Sequence, residues 1–435
     1  MVGDGTGGRS GGAGHDGDRS DAPGSAAGDR AWSALLRAPG FRRLLAAQTV
    51  SPLGDAMATT ALILHLQRTT GTATAVGLML FVQAIPPLAA PLAGVVADRV
   101  RPRVLLAGTA VVQAVGTAVL ALWLPSTGPL LALVFLLALV DTPLGPAVGR
   151  TIPAVVDDRH LPAANAVRGG ARELGTVLGP PLAGLLFVAF GPRWVLAVDA
   201  VTFLLTVPLV ARLPDPPSEG RGGATVGADV VAGMAVVWRT PAVRAVALGF
   251  WLAVLLSASD DLSLPFLVTD HLGGGPVAVG VLLAAAAVGL LLGLPLVAPV
   301  GRRVAVTAAI VGGLAATGLG NLLTAAAPWL AAAFAAQVLR GLALPVLDGF
   351  VATLVQRSVP APLLGRALAN VYGGVSVSAA LGLLVGGPLI DATSPRVALL
   401  LAGVGAAGGA CLTALLLRDV PAPVRRRRRR SAGRR

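Results

Sequence analysis

Twelve apolar runs of about 20 residues, separated by short clusters of charge, leave this chain few folds to choose from. They lie near 42–66, 74–97, 103–124, 129–150, 166–190, 193–212, 242–270, 276–299, 303–326, 329–356, 366–390 and 396–418. A helix of about 20 apolar residues crosses a hydrocarbon core roughly 30 Å thick, so each run is a candidate span. The charged fraction agrees, at 13% of 435 residues against roughly 25% in a soluble domain. With 55% hydrophobic residues the pattern is that of an all-α, multi-pass membrane protein. The first thirty residues are rich in Gly, Asp and Ser, lack the apolar core of a signal peptide, and read as a disordered tail.

Arginine placement sets the expected orientation. All 34 basic residues are arginine, which with abundant Ala, Gly and Pro fits a GC-rich bacterial source. With both termini in the cytoplasm, the outer loops hold only Arg68, Arg193 and Arg396. The short inner loops hold Arg99, Arg101, Arg103, Arg150, Arg159, Arg168, Arg302, Arg303 and Arg366, as the positive-inside rule requires. Trp123, Trp194 and Trp329 fall at predicted outer ends and Trp238 at an inner one, where an aromatic belt belongs. The net charge of +13 therefore follows topology and not nucleic-acid binding. The terminal run 425–430 beside the last span suits anionic lipid headgroups. Cys411 is the single cysteine, so no intrachain disulfide exists.

The chain also repeats itself at an offset near 205 residues. Asp55 precedes His65 by ten positions and is followed by ATAVGLML; Asp261 precedes His271 by ten and is followed by PVAVGVLL. Asn165 with Gly169–Gly170 answers to Asn370 with Gly373–Gly374, and Gly191-Pro192-Arg193 to Ser394-Pro395-Arg396. The expected organisation is a tail (1–40), a six-helix half (41–212), a polar linker (213–240), a second six-helix half (241–418) and an Arg-rich tail (419–435). Transporters built from repeats place their substrate site between the halves.

The loop after the second span reads GVVADRVRPR, residues 94–103, a dense charge cluster between two apolar runs. Over residues 40–418 the sequence resembles the major facilitator superfamily, and within it the twelve-helix drug-efflux branch of macrolide and enterobactin exporters. Gly94, Asp98, Arg99 and Arg103 match the family's loop motif, whereas Arg101 and Pro102 depart from it. The resemblance implies a cytoplasmic gate in which Asp98 braces the inner end of the eleventh helix. A carboxylate at a helix N-terminus gains about 0.3–1 kcal/mol there. The counterpart PVGRRVAV, residues 299–306, has lost the acid.

The fifth span contains ELGTVLGPPLAG, which sets Gly175, Gly179, Pro180 and Gly184 at helical spacing. Small residues four apart let helices approach closely, and proline interrupts the hydrogen-bond ladder. By resemblance this Gly-Pro pattern is that of the family's antiporters.

Ionisable groups inside a span cost at least about 2.5–3.5 kcal/mol at the centre, so their positions are informative. Asp55 stands past the middle of the first span, Asp141 midway in the fourth, and Asp261 with Asp260 in the seventh. An acid in a poorly hydrated cavity can load and release a proton as access alternates. Asp55, Asp141 and Asp261 are accordingly the proton-coupling candidates, with one of the adjacent pair Asp260 and Asp261 expected to line the cavity. Arg340 in the tenth span supplies a fixed positive charge. Asp348, eight residues on, is assigned to the same face as a second cavity charge. The structural alternative is a buried Asp141–Arg340 pair tying the halves together. Asp199 reads as structural, and His65 and His271 as interfacial residues without metal-ligand spacing. Gly403-x-Gly405-x-x-Gly408 has the letters of a dinucleotide fingerprint but lies in the last span, so it reads as helix packing. The glycines near the N-terminus lack the Gly-Lys-Ser/Thr ending of a phosphate loop, so nothing points to ATP drive.

The sequence thus predicts a monomeric, cofactor-free secondary transporter of the bacterial plasma membrane, both termini cytoplasmic, without metal or nucleic acid. It would exchange protons for a small amphipathic compound such as an antibiotic or siderophore. Proton-coupled import of a nutrient and a transport-inactive scaffold or receptor are the alternatives.

Overall fold

The computed structural model describes residues 35, 37–89, 93, 97, 99–215 and 226–418. Among them there is no strand. The helices are α1 (Pro39–Thr70), α2 (Ala73–Ala89), α3 (Pro102–Trp123), α4 (Thr127–Val155), α5 (Leu161–Phe190) and α6 (Pro192–Val210). A second set follows as α7 (Pro241–Asp270), α8 (Pro276–Arg303), α9 (Val306–Ala326), α10 (Leu330–Ser358), α11 (Ala361–Ala392) and α12 (Pro395–Arg418). Ten of these, α3 to α12, are long and apolar enough to cross a membrane. Polar residues dilute α1, which carries Arg42, Arg43, Gln48 and Asp55. α2 is shorter within the described residues.

Local sequence explains the boundaries. Proline at a first position, where its missing N–H is not needed, opens α3, α6, α8 and α12. Gly71 in the left-handed region (φ 68°) ends α1 and lets the chain reverse into α2. α8 tightens into a turn over Leu294–Leu296, about two-thirds along its length. Two spans are broken near their middles, α4 at Thr142–Pro143 and α7 at Ala258–Ser259. Irregular backbone at such depth is tolerated where it lines a cavity.

Each half packs to the same plan. α1 lies against α5 and α6, and α3 against α6; in the second half α7 lies against α11 and α12, and α9 against α12. The repeat shows in details. Asn165 and Asn370 each donate from Nδ2 to the carbonyl four residues back, at 3.0 and 2.9 Å. The outer girth is apolar, with Val115, Leu122, Leu185, Val385 and Val404 exposed as on a lipid-facing surface. Gly403 packs on Gly318 and Leu322 and Gly405 on Leu256, so these glycines serve helix packing. The stretch read as a polar linker is partly helical, over Val226–Arg239, and Gly233 sets this helix against Arg366 and Asn370 of α11. Its run VVAGMAVVW is apolar enough to pack, which the polar residues before it conceal.

The halves meet along two crossings, α5 on α8 and α2 on α11. A methyl group at Gly184 would stand 2.6 Å from the Pro276 carbonyl oxygen, and one at Gly387 would stand 2.6 Å from Thr74 Cα. Gly280 lies as closely on Pro180 and Pro181. These crossings lie toward the end of the bundle opposite residues 39 and 418, hereafter the far end. Gly280→Ala is expected to lower the thermal midpoint in detergent by several degrees, because overpacking a close contact costs about 1–3 kcal/mol. Gly312→Ala, at a position with open space inside α9, is the matched control and should hold the midpoint or raise it slightly, because alanine is the better helix former.

Candidate functional site

Between the halves lies a cavity of about 790 Å³, within the range that holds drug-sized molecules. Both halves line it. The first contributes Asp55, Asp141, Arg168 and Arg172 among others, and the second contributes Asp260, Asp261 and Arg340. The remaining wall is largely aliphatic, with Ile63, Leu80, Val148, Leu314 and Leu347, and among the described residues Phe250 is the single aromatic one in it.

The charges of the second half form a network. The break in α7 starts a fresh helical turn at Asp260, so both acids sit in a first turn whose dipole favours negative charge. Arg340 Nη2 lies 2.6 Å from Asp260 Oδ2, while its Nη1 lies 3.4 Å from Asp261 Oδ1 and donates to Gln337 Oε1 at 3.1 Å. Asn321 Nδ2 donates to Asp260 Oδ2 at 3.3 Å, and Gln337 Nε2 donates to Thr324 Oγ1 at 3.2 Å. Side-chain exposure separates the acids: Asp260 is 2% exposed and Asp261 61%. Asp260 is therefore the buried counter-ion of Arg340, and Asp261 offers the carboxylate that reaches the cavity. Both line the space, where the sequence predicts one. Arg340 is tied within its own half, so no Asp141–Arg340 bridge joins the halves.

The first half is arranged differently. Asp55 and Asp141 are exposed to the cavity, and among the described residues neither has a cationic nitrogen within 4.0 Å. Arg172, from α5, is the cation whose field acts on both. Asp199 is buried behind Asp55, packed on Gly54 and hydrogen-bonded by Thr202 Oγ1 at 3.3 Å.

Other candidate residues fall elsewhere. Asp348 is exposed and does not line the cavity. Eight residues at about 100° each carry it some 80° round α10 from Arg340, which corrects its assignment to the same face. Gly94 and Asp98 lie outside the described residues. Arg99 is exposed, and Arg103 pairs at 3.4 Å with Asp215, just after α6 at the start of the stretch that joins the halves. Gly175 and Gly179 pack on Pro52, Leu53 and Ala56 of α1, whereas Gly184 and the carbonyl of Pro180 meet α8. His65 borders a small recess at the far end with Leu66 and Thr69, and His271 is exposed. Among the described residues no cluster of three or more His, Cys, Asp or Glu could hold a metal ion.

Sequence reasoning overlooks Arg168 and Arg172 as cavity residues. α5 begins at Leu161, so Arg168 is two turns inside a helix and not in a loop. The signal was available: Arg168, Arg172, Thr176 and Pro180 recur every fourth residue, and all four line the cavity.

The model of the Major Facilitator Superfamily matches residues 44–259 and 249–435, one match per half. The chain belongs to this superfamily. Among curated members of the superfamily, it is 23% identical over 382 residues to the uncharacterized MFS-type transporter YfiS of Bacillus subtilis (strain 168), covering 84% of this chain and 90% of YfiS. It is 27% identical over 263 residues to the uncharacterized MFS-type transporter y4rN of Sinorhizobium fredii (strain NBRC 101917 / NGR234), covering 58% of this chain and 64% of y4rN's length. It is 28% identical over 239 residues to the multidrug efflux pump Tap of Mycolicibacterium fortuitum, covering 53% of this chain and 58% of Tap. The fold is shared with the nucleoside transporter NupG, at TM-score 0.73 and 13% identity over 87% of this chain and 99% of NupG. An inward-facing bacterial homolog of the lysosomal transporter Spinster matches at TM-score 0.64 and 15% identity over 87% of this chain and 96% of that one. This superfamily member is thus a multi-pass membrane transporter.

Proposed function

We propose that the chain is a proton-coupled exporter of small amphipathic compounds, working by alternating access from a bacterial plasma membrane as a monomer. The observation that carries the reading is the pair Asp55 and Asp141, exposed in the cavity with Arg172 as the neighbouring cation. Such acids bind either a proton or the positively charged end of a substrate. Competition for one site is the condition for exchange: a proton arriving from outside expels the compound, and a compound arriving from inside expels the proton. The aliphatic wall suits an apolar body, and the relative Tap is a multidrug efflux pump. In this reading both termini face the cytoplasm and the far end faces outward. Asp55 is the first proton carrier, with Asp141 and Asp261 as further acceptors. Gly94, Asp98, Arg99 and Arg103 form the cytoplasmic gate. Gly175, Gly179, Pro180 and Gly184 belong to the antiporter-like α5.

A second reading rests on Arg168 and Arg172, which have no carboxylate within 4.0 Å among the described residues. An anionic substrate would bind them best once Asp55 and Asp141 are protonated. Anion and proton would then travel together, as in a proton-coupled importer.

Inverted membrane vesicles with an imposed proton gradient distinguish these. A panel of cationic, neutral and anionic antibiotics and siderophores is offered outside the vesicles. Exchange predicts that a cationic or neutral compound accumulates when the lumen is acid and that accumulation collapses with a protonophore. Accumulation of anions alone, driven in the direction of proton flow, favours the second reading. No gradient dependence for any compound removes proton coupling.

A further inference from the structure

The two crossings between the halves follow one plan and differ at two matched points. Gly184 lies on Pro276 and Val277 at the start of α8, and Gly387, 203 positions later, lies on Ala73 and Thr74 at the start of α2. Gly280 meets Pro180, and Gly77, 203 positions earlier, meets Leu383. The pairs correspond residue by residue. The position 203 before Asp391, however, is Val188, which has no hydrogen-bonding side chain.

That difference matches another at the helix starts. The first N–H groups of a helix have no partner within it. α8 opens on Pro276, which has no N–H to satisfy, whereas α2 opens on Ala73 and Thr74. Both of their N–H groups donate across the interface to Asp391, Ala73 to Oδ1 at 2.6 Å and Thr74 to Oδ2 at 2.9 Å. The Thr74 hydroxyl donates to the same oxygen at 2.5 Å. The third donor, Ala75 N–H, is taken by Thr72 Oγ1 of its own loop at 3.4 Å. The first turn of α2 is therefore capped partly by its own chain and partly by the opposite half of the molecule. Gln67 Nε2, which donates to Thr269 Oγ1 at 2.9 Å, adds a neutral tie at the same end.

We propose that Asp391 is the latch of the far end: its carboxylate caps α2 only while the two halves are together there, and gives these donors to water when they part. The bonds are charge-assisted and point at backbone groups, so α2 cannot keep them by turning a side chain. The α5–α8 crossing, with Pro276 and Val188 in the matching places, separates without breaking such a bond. The two seams are unequal, and the α2–α11 seam holds the closed state.

The test uses full-length protein carrying Cys411→Ser, with a single reporter at Thr59→Cys on the cavity wall. Labelling by a membrane-impermeant maleimide is followed in right-side-out and inverted vesicles, alongside thermal midpoints. Asp391→Ala is expected to raise the rate in right-side-out vesicles by about five- to tenfold, the factor that losing a helix cap carries. Asp391→Asn, which keeps one acceptor oxygen, should fall between and serves if the alanine variant does not fold. Thr72→Ala removes the cap within the chain and should not raise labelling. An unchanged rate for both Asp391 variants in both vesicle types overturns the latch, as does an equal rise for Thr72→Ala. A rise confined to inverted vesicles upholds the latch and reverses the proposed orientation of the far end.

Discussion

Asp55→Asn is expected to abolish gradient-driven accumulation in vesicles, by about tenfold or more, while exchange of labelled for unlabelled compound continues. Asparagine has the shape of the protonated acid but can neither release a proton nor carry negative charge. The cycle can therefore still turn with substrate on both legs, but proton flow no longer biases it. A factor of ten lies within the usual range of coupling between two ligands, about 1–3 kcal/mol. Asp141→Asn should reduce accumulation less, because Asp55 still faces the cavity beside Arg172. The measurement is accumulation against counterflow in the same vesicle preparation. If the asparagine variant still concentrates the compound when the lumen is acid, Asp55 does not couple the proton.

Arg340→Met should be the most destabilising single change in the cavity. It leaves Asp260, 2% exposed, without the guanidinium 2.6 Å away, and Asn321 as its remaining side-chain partner. Removing one member of a buried ion pair costs about 3–5 kcal/mol, because the other charge stays behind unpaired. Arg340→Met with Asp260→Asn should recover most of that loss, since a neutral amide beside methionine needs no counter-ion. Thermal unfolding in detergent reads both variants. A single variant as stable as the parent, or a double variant no better than the single, would show that the pair is not what holds α7 to α10. Asp261→Asn is the control. Its carboxylate is 61% exposed and 3.4 Å from Arg340, so stability should move little.

Much of the architecture is legible because a bilayer imposes length and polarity together. α3 to α12 stand out since few charges interrupt them, and the α1 start is blurred by Arg42 and Arg43 beside its apolar stretch. The duplication is legible at places where backbone approaches backbone, which tolerate only glycine; Gly77 and Gly280 mark it for that reason. What a linear reading misses is set by helix phase and by breaks. Arg168 resembles a loop charge until the start of α5 is known. The partner of Arg340 becomes readable only once the break at Ala258–Ser259 turns Asp260 toward α10. The Asp391 cap is hidden because its donors are main-chain groups, which leave no mark in side-chain identity.

Where Gly184 and Gly387 rest on bare main chain, the moving bodies have nothing interleaved to withdraw. Such surfaces behave as smooth bearings, so a rocking stroke needs no wholesale reshuffling of rotamers. The barrier then concentrates in a handful of polar fasteners near one rim. Turnover in a protein built this way should respond sharply to edits at those few atoms and weakly to repacking of the broad aliphatic faces beside them.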